Sequence, residues 1–243
     1  MYKNTKTWNP FVGCLFRCVY CKPTFQAQLK RRKHACMDCY NYVPHTHPER
    51  LKKIPSARNI FVCGDGDISF CPIHFTCDII ETIRKHTLHN RRNFHKIFYF
   101  QSKNPSYFAH FEFPQNVVLL TTLETNRNIC HPLGNISYAP QPYERARDFL
   151  KLPHPHKALT IEPIMDFDLK TFLGWIEEIR PEFIYIGFNT RPKAIQLPEP
   201  PLEKVKELIF ELSKFTEVRP KNLRAINELP KTKRGSPILQ HEP

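Results

Sequence analysis

The stretch Ile60-Phe-Val-Cys63, continued by Gly64-Asp-Gly-Asp67, shows a pattern that recurs through most of the chain. A short apolar run ends in a polar, glycine-containing cluster, and apolar residues at helical spacing follow over residues 76–86. The length of the run and its β-branched and aromatic content favour a strand over a buried helix. The stretch therefore predicts one strand, loop and helix in succession.

The same succession recurs along the chain. Further strands are predicted at residues 97–100, 117–123, 158–161 and 183–186, with a weaker one near 6–8. Helices are predicted at residues 143–150, 169–179 and 201–215. Alternating strands and helices indicate parallel βα units with right-handed crossovers. We therefore expect an α/β fold, a partial six-unit βα barrel with fewer strands than the eight-stranded barrel.

Two segments fall outside this alternation. Residues 22–58 form a basic, Cys- and His-rich insertion after the first strand, inside a single barrel domain over residues 1–224. Residues 225–243 are polar and contain prolines, which predicts a flexible C-terminal tail.

The charge balance favours an anionic partner. Lys and Arg total 36 against 23 Asp and Glu, a formal charge of +13. Basic clusters at residues 30–34, 84–86 and 91–96, with aromatics interleaved near the last, suit RNA or DNA, whereas a generally basic, solvated surface is the alternative. No apolar run approaches the ~20 residues that cross a bilayer, and the N-terminus lacks the apolar core of a signal peptide, so we expect a cytoplasmic protein without a membrane partner.

Three thiols in Gly13-Cys14-Leu-Phe-Arg-Cys18-Val-Tyr-Cys21 are spaced to converge on one metal centre. A structural zinc ion usually takes four ligands. A 4Fe–4S cluster held by three cysteines instead leaves one iron open to bind a cofactor or substrate.

A second thiol pair, Cys36-Met-Asp-Cys39, is flanked by His34, His45 and His47. Two cysteines and two histidines can complete a zinc site. The alternatives are a second iron–sulfur cluster shared with Cys63, Cys71 or Cys77, and a pair of unligated thiols.

The spacing Cys-x3-Cys-x2-Cys, with Tyr20 directly before the last thiol, resembles the motif of the radical S-adenosylmethionine (SAM) superfamily. More narrowly, the chain resembles a phage-type branch of unassigned function, distantly similar to spore photoproduct lyase. The matching stretches are Thr7-Trp-Asn-Pro10, residues 61–67 and Thr160-Ile-Glu-Pro163. The resemblance implies a partial barrel over roughly residues 5–220 with the motif after the first strand.

The resemblance also implies the cofactors and their ligands. Cys14, Cys18 and Cys21 would hold a 4Fe–4S cluster whose open iron chelates SAM. Reduction by a flavodoxin- or ferredoxin-like donor would then release a 5′-deoxyadenosyl radical that abstracts hydrogen from the substrate. The residues that the resemblance assigns to SAM or its surroundings follow strands at their carboxyl ends or lie in the motif: Tyr20, Gly64, Asp65, Gly66, Asp67, Ser102, Lys103, Glu124, Asn126 and Glu162.

Within this set, the resemblance does not decide which acidic residue contacts the SAM amino group. The family pattern ends in Glu, whereas this chain offers Asp65 or Asp67. A solvated glycine turn is the alternative for the whole stretch.

The sequence thus predicts a radical SAM enzyme acting on a nucleic acid or nucleotide. A peptide or small metabolite is the second substrate class. The alternative from another class is a non-enzymatic, zinc-stabilised nucleic-acid-binding protein in which all five N-terminal cysteines bind zinc.

Overall fold

The computed structural model describes residues 4–89, 93–128, 130–131 and 134–223. The predicted tail over residues 225–243, and Arg91 and Arg92 of one basic cluster, lie outside the described residues. The strands are β1 Thr5–Trp8, β2 Phe11–Val12, β3 His45–Thr46, β4 Asn59–Val62, β5 Ile97–Gln101, β6 Val117–Thr122, β7 Cys130–His131, β8 Gly134–Asn135, β9 Lys157–Ile161, β10 Phe183–Ile186 and β11 Glu217–Pro220. The α-helices are α1 Ala27–Leu29, α2 Met37–Asn41, α3 Ile73–Leu88, α4 Pro142–Leu150, α5 Leu169–Ile179 and α6 Leu202–Leu212.

Seven parallel strands form one sheet that curls into a half-barrel, in the order β1-β4-β5-β6-β9-β10-β11. The central strands β6 and β9 are buried along their whole length, so both of their faces are covered. Continuous apolar runs are typical of such doubly covered parallel strands. The α/β, parallel and barrel-like character predicted from the sequence is therefore confirmed.

The helices cover one face of the sheet. α3 buries Phe75, Ile79 and Ile83 at helical spacing, and α6 buries a similar stripe. α4 begins with a capping box between Gln141 and Glu144, which fixes its first turn. A second, smaller apolar cluster lies on the other face of the sheet and comprises Tyr99, Val118, Leu120, Ala158 and Phe183.

The structure differs from the predicted alternation at two places. The seventh strand, β11, was not predicted: Val218 is its one buried residue and Pro220 stands at its end, a composition confined to sheet edges. Between β5 and β6 a 3₁₀ segment, Pro105–His110, replaces the crossover helix. The six strands that were predicted are all in the sheet.

The insertion lies between β1 and β4, as predicted, and its strand β3 pairs with β2, which precedes the insertion in the chain. β2 and β3 pair antiparallel, with Phe11 opposite Thr46 and Val12 opposite His45. None of the helices described is both long enough and apolar enough to cross a membrane.

Candidate functional site

Polar loops meet at the carboxyl edge of the sheet, as expected for parallel strands. The loop of residues 14–21, here called the cysteine loop, follows β2 directly. Gly13 N donates to Asp65 O (3.2 Å), and Asp67 N donates to Gly13 O (3.1 Å). A Cβ on Gly66 would stand 2.4 Å from Gly13 O, so only glycine permits this backbone contact. The loop after β4 therefore lies directly against the residue that precedes Cys14.

The three thiols of the cysteine loop gather in one packed group with Phe16, Tyr20, Phe70 and Ala139. None of them is in a disulfide, and Cys18 is buried. The Cys18 Sγ lies 3.0 Å from Ser137 Oγ, and Phe16 N donates to Cys14 Sγ (3.4 Å). The fold thus brings Cys14, Cys18 and Cys21 together.

Cys21 lies within hydrogen-bonding distance of Cys18, but the three thiols do not all lie within 4.8 Å of one another. Among the described residues, the group whose ligand atoms all lie within 4.8 Å of one another is a different one, and Cys14, Cys18 and Cys21 do not form such a group. A multi-iron cluster, whose irons stand at separate corners, accepts thiolates at wider spacing.

A buried charged network lies beside Cys18. Lys103 Nζ is 3.4 Å from Cys18 Sγ, donates to Tyr20 Oη, and pairs with Glu124 Oε1 at 2.5 Å. Tyr20 Oη also donates to Glu124 Oε1 (2.6 Å). Arg145 on α4 approaches the other carboxylate oxygen of Glu124 at 2.8 Å. Two cations and a phenol therefore surround one carboxylate at the cysteine loop.

Burial and these charges shift the pKa values in opposite directions. Burial raises the pKa of Glu124, but Arg145 and Lys103 outweigh it and leave the pKa below its usual value. Burial lowers the pKa of Lys103, and Cys18 and Glu124 more than reverse this. Burial raises the pKa of the Cys14 thiol, whereas a hydrogen bond from Cys21 and the charge of Lys103 lower that of Cys18. At neutral pH Glu124 and Lys103 are therefore both ionised, and the Lys103 ammonium lies against the Cys18 sulfur.

Some buried polar atoms of this network keep unused hydrogen-bonding capacity. Within the described part of the chain, Glu124 Oε2 and the Nε and Nη2 atoms of Arg145 have no hydrogen-bond partner. The contact between the two side chains is therefore a charge pair without hydrogen-bond geometry. Buried polar atoms without partners are rare in native structures, and an absent water or ion is one explanation for them.

The two candidate acids after β4 have different surroundings. Asp67 is buried, and its carboxylate accepts hydrogen bonds from Ser69 N, Ser69 Oγ, Ser102 Oγ and Lys103 N. Burial raises its pKa, and these donors only partly oppose the shift. Asp65 is partly exposed and accepts from Asn9 Nδ2 (2.7 Å). Asp67 and Ser102 thus hold the loops together, and Asp65 faces the more open surroundings.

The remaining predicted residues lie farther along the rim. Glu162 pairs with Lys221 at 2.5 Å across the ends of β9 and β11. The side chain of Asn126 bonds the backbone of Asp168 in both directions (3.1 and 2.8 Å). Asn126 therefore joins the loop after β6 to the loop after β9.

A second group of possible ligands lies in the insertion, here called the Cys/His group: Cys36, Cys39, His45 and His47. His45 Nε2 is 3.4 Å from both Sγ atoms, and His47 Nε2 is 3.3 Å from Cys39 Sγ. These four residues can hold a metal ion, as the sequence predicted for the two thiols. His34 is not among them, and neither are Cys63, Cys71 and Cys77.

Arg145 is the site residue that sequence analysis missed. It lies in a segment read as polar, yet it is fully buried. The available signal was its position one turn before Phe149, on the same face as Ala146, which places a cation on the apolar face of α4.

Comparisons with protein-family models, with curated proteins and with solved structures find no match to this chain. A relationship to radical SAM enzymes therefore rests on the motifs and on the arrangement of the residues, and stays a prediction.

Proposed function

We propose that this protein is a radical SAM enzyme with one 4Fe–4S cluster in the cysteine loop. The observation that carries the proposal is the meeting of Cys14, Cys18 and Cys21 at the carboxyl edge of a curled parallel sheet, against the buried Lys103–Glu124 pair. Three thiolates without a fourth protein ligand suit a cluster with one open iron.

The residues present at the cysteine loop fit both a 4Fe–4S cluster and SAM. The backbone contact of Gly13 with Gly66 keeps the two loops close, and Lys103 with Glu124 places a buried charge pair beside Cys18. When bound and reduced by one electron from a flavodoxin- or ferredoxin-like donor, cluster and SAM together supply a 5′-deoxyadenosyl radical and methionine, and hydrogen abstraction from the substrate yields 5′-deoxyadenosine.

The chain's own residues have distinct parts in this proposal. Cys14, Cys18 and Cys21 ligate three irons. Asp65 accepts from the SAM ammonium, because the carboxylate of Asp67 is already taken by four internal donors. Lys103 and Arg145 keep Glu124 ionised. Glu124 accepts a hydrogen bond from the Tyr20 hydroxyl and so orients this side chain of the cysteine loop.

A nucleic acid or nucleotide is the substrate class that we propose. The support for this class is the formal charge of +13, and a peptide or metabolite is the other outcome.

The non-enzymatic alternative needs zinc on all five N-terminal cysteines. In the structure, the four possible ligands that approach one another closely include Cys36 and Cys39 but none of Cys14, Cys18 and Cys21. The alternative thus lacks a single-ion ligand set for the cysteine loop.

The ion we propose for the Cys/His group is zinc. With Zn–S near 2.3 Å and Zn–N near 2.0–2.1 Å, a tetrahedral ion places sulfur and nitrogen ligands roughly 3.5 Å apart. The observed S···N distances are 3.3 to 3.4 Å. In a cluster that bound its sulfur and nitrogen ligands on different irons, those atoms would stand farther apart, so the distances favour one tetrahedral ion over a second iron–sulfur cluster.

The test is anaerobic incubation with SAM and dithionite, followed by quantification of 5′-deoxyadenosine. The wild type should form it, and Cys14→Ala, Cys18→Ala and Cys21→Ala should each abolish it. Cys77→Ala, a matched change at an exposed thiol on α3, should leave formation unchanged. Full activity in any of the three loop variants would refute the assignment.

A further inference from the structure

The Cys/His group lies in the segment that pairs with the residues leading to the cysteine loop. His45 lies on β3 directly opposite Val12, and His47 N donates to Pro10 O (2.6 Å). The two histidine ligands therefore belong to the chain that pairs with residues 10–12, immediately before Gly13.

The contact continues to Gly13 itself. A Cβ on Gly13 would stand 2.4 Å from both the carbonyl carbon and the carbonyl oxygen of Val43, and the φ of +107° is one that only glycine adopts easily. The backbone of residues 43–44 thus packs directly on the residue before Cys14. Any displacement of the insertion here moves the start of the cysteine loop.

The end of the insertion is anchored on the barrel, because Trp8 Nε1 donates to Arg50 O (2.8 Å) and Leu51, Ile54 and Ala57 pack against the main core. The part of the insertion around the Cys/His group has only a small apolar cluster, in which Leu29 and Cys39 are buried together with Val12 of β2. Its helix α2 has five residues, far below the ~12–15 that an isolated helix needs for even marginal stability. Segments with so small a core are usually stabilised by a metal or by disulfides.

The far nitrogens of both histidines are already oriented. His45 Nδ1 lies 2.7 Å from Val43 O, and His47 Nδ1 lies 3.1 Å from Glu49 Oε1. Such outer contacts leave both Nε2 atoms directed at the thiols and are typical of ligating histidines. With four protein ligands the coordination shell is closed, which is the pattern of structural and not of catalytic zinc.

We infer that the Cys/His group is a zinc clasp: the ion ties the insertion to residues 10–13 and thereby fixes the backbone that presents Cys14, Cys18 and Cys21. The inference rests on zinc in this group and is independent of SAM chemistry. Loss of the ion frees β3 from β2, loosens the cysteine loop and leaves the barrel folded.

The test measures metal content and thiol protection in cluster-free protein, kept anaerobic. Three proteins are treated with iodoacetamide: the wild type, the Cys36→Ser/His47→Asn variant, and a matched control with His74→Asn/Cys77→Ser at exposed positions of α3. Alkylation is followed by peptide mass spectrometry. Wild type and control should hold about one zinc per chain. The Cys36→Ser/His47→Asn variant should lose the zinc, and its cysteine-loop peptide should react about tenfold faster or more, because local opening exposes the thiols.

Cys63 reports on the rest of the fold, since it is buried in the barrel core. Its alkylation should stay slow in every variant. Zinc retained in the Cys36→Ser/His47→Asn variant would overturn the metal assignment. Zinc lost without faster alkylation of the loop, or with equal acceleration at Cys63, would overturn the clasp. Because the cluster is absent from all samples, failure here is distinct from failure of the SAM proposal.

Discussion

Replacement of Arg145 by methionine removes one of the two cations beside Glu124 and so tests the buried charged network. Arg145 is 0% exposed and Glu124 is 0% exposed, and the closest approach of their charged atoms is 2.8 Å. Removing the cation leaves Glu124 with Lys103 as its remaining charge partner.

Breaking a buried ion pair on one side typically costs 3–5 kcal/mol, since the other charge is left desolvated. Lys103 still compensates part of the Glu124 charge, so we expect a loss near the lower end, about 3 kcal/mol of unfolding free energy. Adding Glu124→Gln to Arg145→Met should cost further stability, because it removes the carboxylate that pairs with the buried Lys103.

The assay is urea unfolding followed by far-ultraviolet circular dichroism, with the slope checked for constancy across variants. Arg147→Met on the same helix is the matched control, because Arg147 pairs with Asp148 at the surface, and it should show no measurable change. The expectation fails if Arg145→Met is no more destabilising than Arg147→Met, or if the double variant is as stable as Arg145→Met or more so.

Four further outcomes are expected, three from the structure and one from the charge pattern of the sequence. Gly66→Ala should cost about 1–3 kcal/mol of unfolding free energy, because the new Cβ meets the Gly13 backbone at 2.4 Å. Gly174→Ala, inside α5 with open space around its Cβ, should instead stabilise by about 0.5–1 kcal/mol in the same urea titration. The pKa of Glu124 in the folded chain lies below its usual 4.5. The ionised carboxylate therefore contributes fully to the free energy of unfolding above pH 4.5, and this contribution is lost as the pH falls through the lower folded pKa. Glu124→Gln should therefore lose unfolding free energy less steeply below pH 4.5 than the wild type, with both compared as metal-free chains. Charge reversal at Arg31 and Arg32 should weaken salt-dependent binding of RNA or DNA and leave uncoupled SAM cleavage intact; binding that ignores both salt and these changes would point to another substrate class.

The strands of the sheet could be predicted from sequence because a strand buried on both faces appears as an uncharged, mostly apolar run. The strand over residues 117–122 has apolar residues and threonines without charge, and its position needed no tertiary information. β11 lacked this signature, since it buries Val218 alone at the edge of the sheet. Edge strands depend on the neighbour that pairs with them, and that neighbour is known only from the fold.

The candidate site was predictable where chemistry was local in sequence. Cys14, Cys18 and Cys21 follow one another in one loop, and the Cys36/Cys39 pair lies near its histidines. The choice of His45 and His47 over His34 could not be made, because it depends on the pairing of β3 with β2. Arg145 was likewise hidden, since its burial depends on Glu124, which lies at the end of a distant strand. The sequence equally left Asp65 and Asp67 undecided, and their hydrogen-bond partners distinguish them.

Electron paramagnetic resonance of the anaerobically reconstituted, dithionite-reduced protein, recorded with and without SAM, tests whether the cysteine loop holds a 4Fe–4S cluster with one iron open to SAM. We expect a 4Fe–4S signal that SAM changes, because SAM becomes a new ligand at the open iron. A protein that contains zinc but shows no iron–sulfur signal, or a cluster signal that SAM leaves unchanged, would overturn the assignment.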